Sequence, residues 1–255
     1  MITRNELKYY SSLLQKKFRS TENKFLVDGK KVVLEGLQSR FECEIIFITP
    51  KFSEEEKEYL NRIKSLNARI KILKSIDFKR ITHTLSPEGI AAVFINHKKR
   101  PEISSIKDSL IVYLEDITDP GNLGTIIRNC DWFGIKNIFL SKTSAEVFNP
   151  KVIRASMGSV FHINIFEDVS LEEIISLKKS GYQFVCSDLK GENLYEFKRN
   201  EKTVLFLANE THGPSNELLS ISDKIISIPG KGKAESLNVA SACAVILWEL
   251  TKSNF

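Results

Sequence analysis

Asp119-Pro120-Gly121-Asn122-Leu123-Gly124-Thr125-Ile126-Ile127-Arg128 is the turning point of this chain. An unbroken apolar run, Leu110 to Leu114, precedes it and predicts a buried strand. Behind it, Leu123 to Phe133 carries apolar residues at helical spacing, so Pro120-Gly121 turns a strand into a helix. Such a junction presents main-chain N–H groups to a ligand. Asn122 at the helix start and Arg128 about two turns in each need a reason to be there. A bland one exists: Asn122 as the helix N-cap and Arg128 on a solvated face.

Two further polar blocks follow apolar strands. Val204-Leu205-Phe206-Leu207-Ala208 runs directly into Asn209-Glu210-Thr211-His212-Gly213-Pro214, ahead of a short helix. The carboxyl end of a strand is where α/β sheets place their sites, and a carboxylate there can bind a hydroxyl or act as a base. An ordinary turn with a solvated Glu210 fits the same residues. In the third block, Ile226-Ser227-Ile228-Pro229 ends in Gly230-Lys231-Gly232-Lys233-Ala234-Glu235, and Ser236-Leu237-Asn238 opens the final helix. Ser236 reads as its cap, with Asn238 in the first turn. The Walker spacing and G-x-G-x-x-G are both absent, which disfavours a P-loop NTPase or a Rossmann dehydrogenase. A softer signal is Asn149-Pro150-Lys151-Val152-Ile153-Arg154: a phosphate or ribose contact through Lys151 and Arg154, or simply a helix start.

Outward from these blocks the chain is an alternation of short strands and helices. Strands are expected at Phe25–Val27, Glu44–Ile48, Ile70–Leu73 and Ile90–Phe94, with helices at Lys30–Gln38, Ser53–Leu66 and Ser75–Ile81. A second series has strands at Leu110–Leu114, Asn137–Leu140, Phe161–Ile165, Tyr182–Cys186, Thr203–Leu207 and Lys224–Ile228, and helices at Leu123–Phe133, Ser170–Ser180 and Asn238–Lys252. The fold class is α/β, with a mainly parallel sheet in the second part. The proline and charge of Asn96-His97-Lys98-Lys99-Arg100-Pro101 mark a linker, giving domains at 1–96 and 108–255 joined by 97–107.

Charge differs between the two parts. Residues 1–104 hold 21 Lys/Arg against 13 Asp/Glu, a net of +8, and residues 105–255 a net of −3. A polyanion is the natural partner of the first part. Cys43, Cys130, Cys186 and Cys243 form no CxxC pair, so neither zinc nor a disulfide framework is expected and a reducing cytoplasm fits. No stretch reaches the length of a membrane span, and the first residues lack a signal-peptide core. His83, His97, His162 and His212 are scattered and read as structural or surface residues. Phe18, Phe25 and Phe41 read as core before they read as base-stacking platforms.

Together the three blocks resemble the SpoU (TrmH-like) branch of the SPOUT methyltransferases. Asn122, Gly124 and Arg128 match its N-x-G-x-x-x-R motif; Asn209, Glu210 and Gly213 match G-N-E-x-x-G; Ile228, Pro229, Ser236, Leu237, Asn238 and Val239 match the third. Phe18-Arg19, Phe25 to Gly29 and Ser86 to Ala91 look like the substrate-binding domain often attached to that family. Ala208 departs from the pattern, standing where glycine is usual, and would be strained if the backbone there needed positive φ. The resemblance implies a deep trefoil knot in the second domain and a smaller RNA-binding α/β domain before it. It also implies S-adenosylmethionine held around Leu207, Ala208, Asn209, Gly213, Ile228, Pro229 and Leu237, and a homodimer using the final helix.

What the resemblance implies chemically is methyl transfer to a ribose 2′-hydroxyl of structured RNA, large-subunit ribosomal RNA ahead of transfer RNA. Arg128, Asn122, Glu210, Ser236 and Asn238 are the candidate catalytic residues, and Arg19, Lys151 and Arg154 the candidate RNA contacts. Arginine stays protonated, so Arg128 is expected to stabilise the developing alkoxide rather than act as base. Asn122 is expected to orient Arg128 or the ribose. A non-catalytic RNA-binding protein of the same fold is the alternative, with Ala208 its support.

Overall fold

The computed structural model describes residues 2–64, 66, 68–97 and 102–252. Two compact units emerge: residues 1–99 with 148–161, and residues 100–147 with 162–255. Of the expected linker, Lys98–Pro101 lie outside the described residues.

In the first unit, strands β1 (Lys24–Asp28), β2 (Glu42–Ile48), β3 (Ile70–Ile72) and β4 (Ile90–Ile95) make a mixed sheet in the order β1-β4-β2-β3. Strand β4 is antiparallel to both neighbours, while β2 and β3 run parallel. Successive side chains of a strand point to opposite faces. Leu26, Ile45, Phe47, Ala91 and Val93 therefore share one core with Leu7, Tyr10 and Leu13. These last three come from the helix Arg4–Ser12 and its C-cap, and that helix begins at a Thr3–Glu6 capping box. On the other face, Phe25 stacks on Phe148 with ring centroids 4.0 Å apart, and Phe161 lies 5.3 Å from Phe94 and 5.5 Å from Phe41. The segment 148–161 thus supplies half of this unit's aromatic packing. Its short helix, Pro150–Ser156, is capped by Asn149 and closes on Met157 in the left-handed region.

The helices Arg4–Ser12 and Lys16–Glu22 were not expected from sequence pattern. The expected helix 53–66 is two pieces, Pro50–Glu55 and Lys57–Lys64. Thr49 caps the first early, with proline in its opening turn, and Glu56 at ψ 44° breaks the helical geometry.

In the second unit, β5 (Leu110–Glu115), β6 (Asn137–Leu140), β7 (Asn164–Phe166), β8 (Gln183–Asn193), β9 (Thr203–Ala208) and β10 (Lys224–Ser227) form a six-stranded sheet. Its order is β10-β8-β9-β5-β6-β7, and every pairing is parallel. Every residue of β5 is buried, as continuous apolar strands of parallel sheets are. Ile111, Tyr113, Phe139, Phe184 and Phe206 pack with Leu171, Ile174 and Leu177 in one core. The helices Pro120–Trp132 and Val239–Thr251 are tied together by Asn129 Nδ2, which donates to Ala240 O at 2.8 Å.

Two strands differ from expectation. Strand β7 starts three residues later than Phe161, because Ser159–Phe161 forms a 3-10 turn. Strand β8 runs on to Asn193, well past Cys186, through a polar stretch that carries no strand signal. Its pairing with β10 jumps register, from Ile225 opposite Cys186 to Ile226 opposite Glu192. Gly191 makes this possible: a Cβ there would lie 2.4 Å from the carbonyl carbon of Ile226 and 2.6 Å from its Cα.

Candidate active site

Parallel strands present their functional loops at their carboxyl ends, and the three sequence blocks leave β5, β9 and β10 at that end. The helix after β5 starts at Pro120 with Asp119, not Asn122, as its cap: Asp119 Oδ1 accepts from Asn122 N at 2.7 Å. Proline at the first helical position needs no N–H partner there. This leaves the Asn122 side chain free to act elsewhere. Its Nδ2 donates to Glu210 Oε1 at 2.9 Å, and its Oδ1 accepts from Asn238 Nδ2 at 2.9 Å. One asparagine thereby joins residues that are 88 and 116 positions away along the chain.

Asn238 has a second task. Its Oδ1 accepts from Ala240 N at 3.0 Å, which makes Asn238 the N-cap of Val239–Thr251. The expectation that Ser236 caps this helix, with Asn238 inside it, is corrected. Asn238 holds the extended backbone of a cap, φ −54° and ψ 138°, and Ser236 lies upstream, exposed. Replacing Asn238 by alanine is expected to cost about 1 kcal/mol of stability through the lost cap. The tether to Asn122 goes with it, so turnover at this site is expected to fall by more than the lost stability accounts for. Thermal melts beside single-turnover rates check this.

Arg128 is exposed and makes no hydrogen bond or ion pair among the described residues. Asn122 does not orient it, since both polar ends of the Asn122 amide are taken by Glu210 and Asn238. A free guanidinium at the surface is available to an incoming phosphate or oxyanion. Cys130, two residues further on, is fully buried, and burial pushes its thiol well up, so it is no nucleophile.

The loop after β9 folds on itself. Asn209 Oδ1 accepts from Thr211 N at 2.8 Å and Asn209 O from Gly213 N at 2.8 Å, while Asn209 Nδ2 donates to Asp116 O at 3.1 Å. Gly213 takes positive φ, 66°, but Ala208 does not. Ala208 closes β9 in register with Glu115, so its methyl group strains nothing. The main-chain groups of residues 229–237 make no hydrogen bond among the described residues, and residues 229–238 are all exposed. Unspent main-chain donors and acceptors flanked by Ile228 and Leu237 suit a nucleoside, whose base has polar edges and apolar faces.

Sequence reasoning missed Glu115 and Asp116. Glu115 is 9 % exposed, and its two carboxylate oxygens accept from Ser215 N at 2.8 Å and Ser215 Oγ at 2.7 Å. An acid closing an apolar strand was the available signal. Among the candidate RNA contacts, Arg19 is withdrawn: it is 5 % exposed and donates from Nη1 to Leu13 O at 2.9 Å, holding the turn between two helices. Lys151 and Arg154 are exposed, and Arg154 Nη2 donates to Thr84 Oγ1, 2.9 Å away. Phe25 and Phe41 belong to the aromatic packing described above, while Phe18 is 37 % exposed.

Comparison with known proteins finds two family models on the chain, the larger of which includes residues 148–161 of the first unit. The SpoU rRNA methylase family model matches residues 109–248, and an MRM3-like substrate binding domain matches residues 4–92. The chain belongs to the SpoU rRNA methylase family. It is thus an S-adenosylmethionine-dependent RNA 2′-O-methyltransferase with RNA as its substrate, and the family implies the trefoil knot. Among its relatives, the 23S rRNA (guanosine(2553)-2′-O)-methyltransferase RlmP of Bacillus subtilis is 30% identical over 246 residues, 96% of this chain and 95% of that one. A TrmH-family structure from Porphyromonas gingivalis superposes with a TM-score of 0.88 at 32% identity, covering 99% of both chains. The AdoMet-bound rRNA methyltransferase from Sinorhizobium meliloti gives 0.87 at 26% identity, covering 100% of this chain and 97% of that one. No helix among the described residues is long and apolar enough to cross a membrane.

Proposed function

We propose that this methyltransferase modifies a ribose of large-subunit ribosomal RNA in the cytoplasm, with the Asn122–Glu210–Asn238 string at the reaction centre. The observation that carries the site assignment is that string: three sequence blocks, far apart in the chain, converge through two hydrogen bonds on one amide. S-adenosylmethionine supplies an electrophilic methyl group, and the loops 207–213 and 228–237 would hold it. The protein's own task is to bring the 2′-oxygen into line and to relieve it of its proton. Arg128 stabilises negative charge as it develops on that oxygen. Glu210, oriented through Oε1 by Asn122, offers its other oxygen to the proton. Lys151 and Arg154 take RNA phosphates in the first unit, where the excess of cations lies. The choice of ribosomal RNA over transfer RNA follows the name of the Bacillus subtilis relative.

Incubation with methyl-labelled S-adenosylmethionine and ribosomal or transfer RNA tests this. A label confined to 23S RNA, in a dinucleotide resistant to alkali, is the expected product, since a methylated 2′-oxygen cannot attack the neighbouring phosphate. Label in transfer RNA, or at an alkali-sensitive position, overturns the assignment.

A homodimer belongs to the same proposal. Trp132 is 81 % exposed and Trp248 54 % exposed, and they lie on the two helices that Asn129 ties together. Large exposed aromatics on one helix pair suit an interface with a second copy. The wild type is expected to sediment as a dimer at micromolar concentration and Trp248→Glu as a monomer. A monomeric wild type would remove the dimer from the proposal.

A further inference from the structure

We propose that Asp116 is a positioning residue for methyl transfer: it fixes Asn209, and through Asn209 it sets Glu210 against Asn122. The inference rests on the role given to Glu210 above. Asp116 follows β5 directly and has φ 55°, the left-handed region, which non-glycine residues enter at a cost. Its own polar groups hold it there. Its N–H donates to Ser141 Oγ at 2.9 Å, and its Oδ1 accepts from Ser141 Oγ at 3.3 Å and from Thr143 Oγ1. The next residue is anchored in the same loop, with Ile117 N donating to Ser144 Oγ at 3.2 Å.

What this turn delivers is a carbonyl. Asp116 O accepts from Asn209 Nδ2 at 3.1 Å. Asn209 closes the 209–213 turn with two main-chain bonds, and Glu210, inside that turn, accepts from Asn122 Nδ2. Asn122 N in turn donates to Asp119, three residues after Asp116. Hydrogen bonds and chain together make a closed ring from Asp116 to Asn209, Glu210, Asn122, Asp119 and back. An exposed carboxylate beside an RNA site repels the substrate, so a role as surface charge does not account for Asp116. Holding the ring does.

Two substitutions separate the carboxylate from the backbone. Asp116→Gly keeps the left-handed turn but removes the acceptor, and Asp116→Asn keeps both, because asparagine tolerates this region and retains Oδ1. Single-turnover transfer is expected to slow on the order of tenfold in the glycine variant, with RNA affinity no weaker than wild type, and asparagine is expected to restore most of the rate. In a Glu210→Gln background, Asp116→Gly is expected to add less than about twofold, because residues acting through one another are not additive. The same tenfold loss in both backgrounds overturns the proposal, as does a full rate in the glycine variant or a silent Glu210→Gln. If the glycine variant does not fold, Ser141→Ala with Thr143→Val carries the same cycle. A wild type that methylates no ribose would instead sink the functional reading.

Discussion

Arg128→Ala is expected to slow the chemical step by roughly 10²–10³-fold, the loss that follows removal of one group stabilising an oxyanion in other enzymes. S-adenosylmethionine affinity is expected to change little, since Arg128 lies on the exposed side of its helix and makes no hydrogen bond or ion pair among the described residues. The same freedom predicts an unchanged melting temperature, because an unpaired surface cation contributes little to folding. Single-turnover rates at saturating RNA and cofactor, titration calorimetry with the cofactor alone, and a thermal melt separate these three effects. A rate within threefold of wild type would remove Arg128 from the chemistry and leave Glu210 with the oxygen alone.

The second large effect is on the fold. Gly191→Ala places a methyl group 2.4–2.6 Å from main-chain atoms of Ile226. A side-chain neighbour can rotate away, but here strand β10 itself must move, and β10 is the edge strand whose end leads to the 228–238 loop. Overpacking costs typically about 1–3 kcal/mol, and the upper end applies where the added methyl group meets main-chain atoms. About 3 kcal/mol corresponds to a midpoint lower by roughly 6–12 °C. Cofactor affinity is expected to fall with it, because the loop that follows β10 moves with the strand. Serine at 191 should behave like alanine. A variant that melts with the wild type would show that β8 and β10 separate here at no cost.

How far the sequence carried the fold depends on where each element gets its stability. The strands buried in the parallel sheet were legible because continuous apolar runs have few other uses: Leu110–Glu115 and Asn137–Leu140 lie where the pattern puts them. The polar half of β8, from Ser187 to Asn193, has no such signature; it is a strand because β10 pairs with it across Gly191. Caps were misread for a related reason. Asp119 and Asn122, or Ser236 and Asn238, are alike as cap formers, and only the backbone angle and the long-range partner decide which one caps. The convergence of Asn122, Glu210 and Asn238 was legible as three motifs but not as a hydrogen-bonded string. Arg19 illustrates the opposite failure. Arginine beside phenylalanine in a basic region suggests RNA, whereas the guanidinium is spent on the Leu13 carbonyl.

The aromatic half of the first unit's core has a consequence for how the protein is made. Phe25, Phe41 and Phe94 are synthesised before Phe148 and Phe161, the rings that cover them. A nascent chain emerging in order carries the whole four-stranded sheet with its aromatic face only partly covered, by the helix Lys30–Leu37 whose Gly36 lies against Phe94, until some sixty further residues have been added, so β5 and β6 reach the solvent before the older sheet can close. The N-terminal sequence is therefore translated first and finished late. For that interval its exposed phenylalanines are a surface for chaperones, and a chain released early would be a substrate for proteases.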